Sequence, residues 1–291
     1  MDAWRMSKAV GLRAAMTILF ALSLWRYITH KEAHDIPKYR TFLNPPSSTF
    51  DIWILIYAWL GAFLIRAWMP TTREIPPYMS MLYMLFTVAF AIDIIWMEVR
   101  AGGYTKQAAI PLALLWMVVT AAYVMVGHHM EPFVVTSLLV TSREHVYTNV
   151  SAVDLAWIRV PFTLWWAWVS AEAVLALVEL FEDVARHEVG LYVAALGVYS
   201  VVSAAFLLTM GDLIIAVVAL WFLVGIGEAN RHQQQDTETR TAVAAMSSLA
   251  ILMHLGLLAL LAIHKAWRGP KTPHAPGLRL SGSQAPYQPL E

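Results

Sequence analysis

"NPPSSTFDIWILIYAWLGAFL", residues 44–64, opens with two prolines and runs directly into an apolar stretch. Pro45 and Pro46 disfavour helix in the residue before each of them, and Ser47, Ser48 and Thr49 are residue types that cap a helix start. From Trp53 onward the spacing is four: Trp53, Tyr57 and Gly61 share one helical face. The pattern predicts a membrane helix entered through a proline turn, with two flat amphipathic rings beside a position small enough to admit another backbone. Two readings fit that face. It is either helix packing with an interfacial aromatic belt or one wall of a ligand slot.

The rest of the chain fixes the setting. Of the residues, 59% are hydrophobic and 14% charged, with 13 tryptophans, and the mean hydropathy is +0.57; an ordinary soluble domain carries about 25% charged residues. The lipid bilayer is therefore the expected partner. Twenty basic residues balance 20 acidic ones, which leaves no excess charge to neutralise phosphates, so no nucleic acid is expected. The absence of cysteine excludes disulfides and thiolate chemistry.

A bilayer core takes about 20 apolar residues as helix. Segments of that kind run over approximately 8–29, 49–69, 78–99, 107–127, 158–181, 189–210, 212–229 and 239–266. The seventh is short and follows the sixth after "MGD", which predicts a tight helical hairpin and makes seven or eight spans the expected total. The first, with a basic start and no small-residue cleavage site, reads as a retained helix rather than a signal peptide. Lys and Arg divide almost evenly between the two sides and set no orientation. Residues 128–157 mix polar and apolar residues without the length to span, and are expected to lie at the interface. The Pro- and Gly-rich tail, 269–291, is expected to be disordered or bound to a partner.

Taken together, several motifs resemble the translocator protein family, the tryptophan-rich sensory or TspO/MBR proteins. "PP" followed by Phe-x-x-Trp-x-x-x-Tyr-x-x-x-Gly is similar to that family's second-helix signature. "AFAIDIIW" (89–96) resembles its third-helix Leu-Asn-x-x-Trp, with Asp93 at the Asn position and Trp96 at the Trp. "VPFTLWWAWVSA" (160–171) is similar to the fifth-helix Pro-(Tyr/Phe)-x-x-Trp, on Pro161, Phe162 and Trp165, and "ALWFLVGI" (219–226) to a stretch of the larger bacterial members. The resemblance implies an all-α polytopic bundle: a five-helix core over 1–181, two or three further helices over 182–268, and a ligand cavity closed by the loop after the first helix. It implies a flat hydrophobic ligand, a porphyrin or haem-like tetrapyrrole, a sterol or a lipid, lined by Trp53, Tyr57, Asp93, Trp96, Pro161 and Trp165. It sets the chain in an organellar membrane such as the mitochondrial one, or in a bacterial inner membrane. Asp93, Asp51 and Glu172 depart from the family pattern, and a carboxylate at 93 would repel porphyrin propionates.

Acids within membrane segments are costly, so Asp93 and Glu172 are candidates for ligand or proton handling. The structural alternative gives Asp93 hydrogen bonds within the bundle and pairs Glu172 with Arg159 or a neighbouring helix; Asp51 and Glu98 lie near helix ends, where Arg100 can accompany Glu98. His254 is expected to be hydrogen-bonded inside the bundle, and the adjacent His128 and His129 to form an interfacial pair rather than a metal site. Asn149-Val150-Ser151 fits a glycosylation acceptor. There is no phosphate loop, dinucleotide fingerprint, His-Glu-x-x-His pair or nucleophile elbow, so no enzymatic activity is expected. Three functions follow: a binding protein for a flat hydrophobic molecule, an accessory subunit with protein partners in a larger membrane complex, or a small transporter or proton-coupled channel.

Overall fold

The computed structural model describes residues 3–29, 41–69, 77–129, 155–181, 189–210, 212–231 and 237–268. Its long helices are α1 (Ala3–Thr29), α2 (Ile52–Trp68), α3 (Pro77–Ala101), α4 (Thr105–His129), α5 (Val160–Leu180), α6 (Val189–Met210), α7 (Leu213–Arg231) and α8 (Thr237–Arg268). Seven of them, α2 to α8, are long and apolar enough to cross a membrane. The 8–29 segment is helical as expected, and that helix packs along α3 and α2. The chain is thus a polytopic helical bundle and an integral membrane protein.

Helix α5 is its axis. Of its span, 72% is buried, against 22% for α8, and it touches α2, α4, α6 and α7. Bulky aromatics at nearly every turn make that central position possible: Phe162, Trp165, Trp166 and Trp168 are all buried. In lipid, tight packing and hydrogen bonding between helices replace the hydrophobic drive. The π turn Leu155–Arg159 leads into α5 without a break. Pro161 has no N–H to give the Trp157 carbonyl, and the widened turn falls where that bond is missing.

Local chemistry sets the other junctions. The α3–α4 turn closes with Gly103 N–H on Arg100 O at 3.0 Å and Tyr104 N–H on Val99 O at 3.2 Å. Gly103 takes φ +80°, the left-handed residue such a helix end requires. After the double proline the chain forms a 3₁₀ turn, Ser47–Asp51, before α2. The expected Ser or Thr side-chain cap is not made: Pro46 and Asp51 occupy the two N-cap positions without a side-chain capping bond. Thr49 is used elsewhere, pressed on α7. There the Trp221 indole donates to the Thr49 carbonyl at 2.8 Å, and a Cβ built on Gly225 would stand 2.8 Å from Thr49 Cγ2 and 3.1 Å from Pro45 Cβ. Asn230 extends the same seam, donating to Phe42 O at 2.7 Å. The last helices thereby hold the entry to α2.

The loop after α1, the greater part of the 128–157 segment with Asn149-Val150-Ser151, the side chains of His128 and His129, and the 269–291 tail lie outside the described residues.

Candidate functional site: a buried aromatic and carboxylate cluster

Helical spacing brings α2's Trp53 and Tyr57 to the inner face, both buried, their ring centroids 5.6 Å apart. Helix α1 adds Tyr27, 5.2 Å from the Tyr57 ring and 6.5 Å from Trp53. Helix α3 adds Trp96, 6.2 Å from Trp53 at 31°. These separations are those of rings in direct contact, so the side chains themselves fill the space between the helices. Trp165 of α5 lies one layer along, stacked on Phe90 at 5.2 Å and 24°. Pro161 is buried in the first turn of α5 and contributes by starting that helix one turn before Trp165.

Two carboxylates sit among these rings, and they are held alike. Asp93 Oδ2 accepts from Ser23 Oγ at 2.5 Å and from the Tyr57 hydroxyl at 3.1 Å, and the two hydroxyl oxygens are 2.8 Å apart. Glu172 Oε1 accepts two indole N–H bonds, from Trp53 and from Trp168, both 2.9 Å. In each acid one oxygen takes two donors. The other, Asp93 Oδ1 or Glu172 Oε2, has no hydrogen-bond partner among the described residues, and neither does the buried Trp165 Nε1. Buried polar atoms are nearly always satisfied in folded proteins, so these open atoms need an explanation.

The ion pairs differ from those the sequence led one to expect. Glu172 does not pair with Arg159, which precedes it by thirteen residues on nearly continuous helix, roughly 20 Å along the axis. Arg159 instead meets Asp212, with Nη2 and Nε at 3.2 and 3.3 Å from Oδ2, and Thr163 donates to the same oxygen at 3.1 Å. Asp212 Oδ1 accepts the Ile214 N–H at 3.3 Å and so caps α7. Arg159 and Asp212 are 2% and 0% exposed, which makes this a fully buried tie between α5 and α7. Glu98 pairs with Arg26 of α1 rather than with Arg100, because residues two apart leave a helix in different directions. Arg100 turns inward, its guanidinium 5.8 Å from the Trp96 ring centre and 3.7 Å from Glu179.

Gly61 faces a ring, not a backbone. A Cβ there would meet Phe20 Cζ at 3.5 Å, an ordinary contact, so the expected close backbone approach is absent. His254 lies inside the bundle, hydrogen-bonded to Ser203 Oγ and the Ala250 carbonyl, both at 2.8 Å.

The sequence-derived residues Trp53, Tyr57, Asp93, Trp96 and Glu172 thus meet in one cluster, with Trp165 beside it. Ser23, Tyr27, Trp168 and Asp212 were missed. Trp168 stands four residues before Glu172, a neighbour on the helix face, and Asp212 immediately precedes an apolar helix in the N-cap position; both signals were present. Ser23 and Tyr27 had none beyond their place on α1.

The described grooves are elsewhere. One of about 460 Å³ is lined by Thr49, Trp221, Val224 and Glu228, and another of about 530 Å³ by Lys106, Ile110, Leu114 and Leu180. No group of three or more His, Asp or Glu among the described residues is placed to hold a metal ion.

The indoles suit the faces of a tetrapyrrole ring, but the open carboxylate oxygens do not suit its propionates, and the fully buried His254 is engaged with Ser203. The family description TSPO-like protein matches residues 8–260. The comparisons with curated proteins and with solved structures each returned no match. With that match running from α1 into α8 and seven apolar helices within it, the chain belongs to the TSPO-like protein family.

Proposed function

We propose that this membrane protein binds a flat hydrophobic molecule between α1, α2, α3 and α5, with the rings of Trp53, Trp96 and Trp165 against its faces. It acts as a binding protein, not as an enzyme. The observation that carries this reading is the group of open polar atoms, Asp93 Oδ1, Glu172 Oε2 and Trp165 Nε1, all buried among aromatic faces. An apolar slot with a few convergent polar groups is the usual form of a small-molecule site. Entry requires movement. A flat ring between two indoles needs contacts of about 3.5–4 Å on each side, so the 6.2 Å between Trp53 and Trp96 must widen by roughly 1–2 Å.

The test uses octaethylporphyrin, a flat apolar ring without carboxylates, titrated into purified protein while tryptophan emission is followed. Saturable quenching is expected, weakened at least fivefold by Trp53→Ala and by Trp165→Ala. Quenching that is the same in both variants removes these residues from the site.

A second reading has its own support. Because the rings already touch one another, the cluster also serves as a self-filled core of an accessory subunit in a larger membrane complex. Gentle extraction separates the two: a large particle with constant co-migrating polypeptides favours the subunit, whereas a monomer or small oligomer carrying the quenching activity favours the binding protein.

A further inference from the structure

Among the described residues the cluster holds more carboxyl groups than cations to meet them. Asp93, Glu172 and Glu179 are buried at 1%, 4% and 3% exposure, and Arg100, the guanidinium beside them, makes its ion pair with Glu179. Arg159 is committed to Asp212 and Arg26 to Glu98. Glu172 lies within electrostatic reach of both Asp93 and Arg100. The groups that face the two acids directly are neutral donors: Ser23 and Tyr57 on Asp93, Trp53 and Trp168 on Glu172.

The geometry of those donors is informative. Two of the four reach a single oxygen of each acid and leave its second oxygen open. The two acids also flank a single aromatic pair, since Trp53 donates to Glu172 while its ring neighbour Tyr57 donates to Asp93. Trp165, one helical face with Glu172, adds a buried and unpartnered indole N–H independent of the acids. A carboxylate fixed by one oxygen presents the other as an acceptor, and aromatic faces around it attract cations.

We infer that the site selects a ligand with a flat apolar body and a cationic, N–H-bearing head such as a primary ammonium. The ammonium takes the open oxygens of Asp93 and Glu172 beside the faces of Trp53 and Trp96. This rests on the flat-ligand reading above and supplies the charge class that reading leaves open; it also turns anionic tetrapyrroles away.

The experiment uses three probes with one ring and three heads: 1-pyrenemethylammonium, 1-pyrenemethanol and 1-pyrenecarboxylate. Each is titrated into the full chain in uncharged lipid nanodiscs, and saturable tryptophan-to-pyrene energy transfer is read at neutral pH. The ammonium is expected to bind about tenfold or more tighter than the alcohol, the factor one charge-assisted hydrogen bond supplies, and the carboxylate weakest. In Asp93→Asn and in Glu172→Gln the preference for ammonium over alcohol should shrink severalfold, and an unchanged far-ultraviolet circular dichroism spectrum shows that the variants are folded; an unchanged preference in both folded variants overturns the assignment of these two oxygens. Equal binding of all three heads to the unmodified chain, or tightest binding of the carboxylate, overturns the charge assignment and leaves the flat-ligand reading standing. Absence of saturable transfer for all three, together with absent octaethylporphyrin quenching, overturns both.

Discussion

Asp212→Leu takes the counter-ion from a guanidinium buried in the bundle. Arg159 is 2% exposed and Asp212 gives it two contacts, at 3.2 and 3.3 Å, on an oxygen that Thr163 also uses. Removing one partner of a buried pair costs about 3–5 kcal/mol, since the remaining charge keeps its desolvation cost without its counter-ion. Losing the cap on Ile214 N–H adds about 1 kcal/mol. Arg159→Met alone strands the carboxylate and should cost a similar amount. The double variant Arg159→Met, Asp212→Leu removes both charges at once. Thr163 can then turn to the carbonyl four residues back, leaving the missing cap as the main loss, so the double should lie within about 1–2 kcal/mol of the unmodified protein. The assay is unfolding by SDS in mixed micelles, followed by far-ultraviolet circular dichroism, with the coupling energy taken from the four proteins. A coupling above about 2 kcal/mol is expected. Additive single losses would mean that the two side chains act separately and that the tie between α5 and α7 lies elsewhere.

The seam between the proline turn and α7 gives a second prediction: Gly225→Ala should cost about 1–3 kcal/mol by overpacking against Thr49 and Pro45, and adding Thr49→Ala should recover most of it in the same SDS titration. If the double variant is no more stable than Gly225→Ala, Thr49 is not the obstacle. At the α3–α4 turn, Gly103→Ala should lose about 1 kcal/mol because φ is +80° with open space around the Cβ, and Gly103→Asn should lose less; equal losses for the two would point away from backbone strain.

What the sequence disclosed, and what it withheld, follows a physical division. Trp53 and Tyr57 were legible because helical spacing assigns both to one face, and Asp93 and Trp96 because their stretch resembles the third-helix motif of the TspO/MBR family. The partners of the acids were not, since a partner depends on which helices adjoin. Glu172 meets Trp53, 119 residues distant in sequence, and Arg159 meets Asp212 across 53. Reading charges by nearness along the chain led to Arg100 for Glu98 and offered Arg159 or a neighbouring helix for Glu172; helix geometry sent Glu98 to Arg26, and Glu172 meets the neighbouring helix through Trp53. Gly61 was read as a packing notch by residue type, yet the residue opposite it is Phe20; the tighter notch is at Gly225, against the side chains of Thr49 and Pro45.

Helix α8 is 32 residues long, about 48 Å at 1.5 Å per residue, whereas the hydrocarbon of a typical bilayer is about 30 Å thick. Its basic residues Arg240 and Arg268 stand near opposite ends, about 42 Å apart along the axis. Such a helix leans or stretches the lipid around it, at a cost that rises for each ångström by which the bilayer thins. Helix α8 packs on α7 and α6 along one side only, with 22% of its span buried, so its length makes the chain responsive to bilayer thickness: a thicker membrane relieves the mismatch.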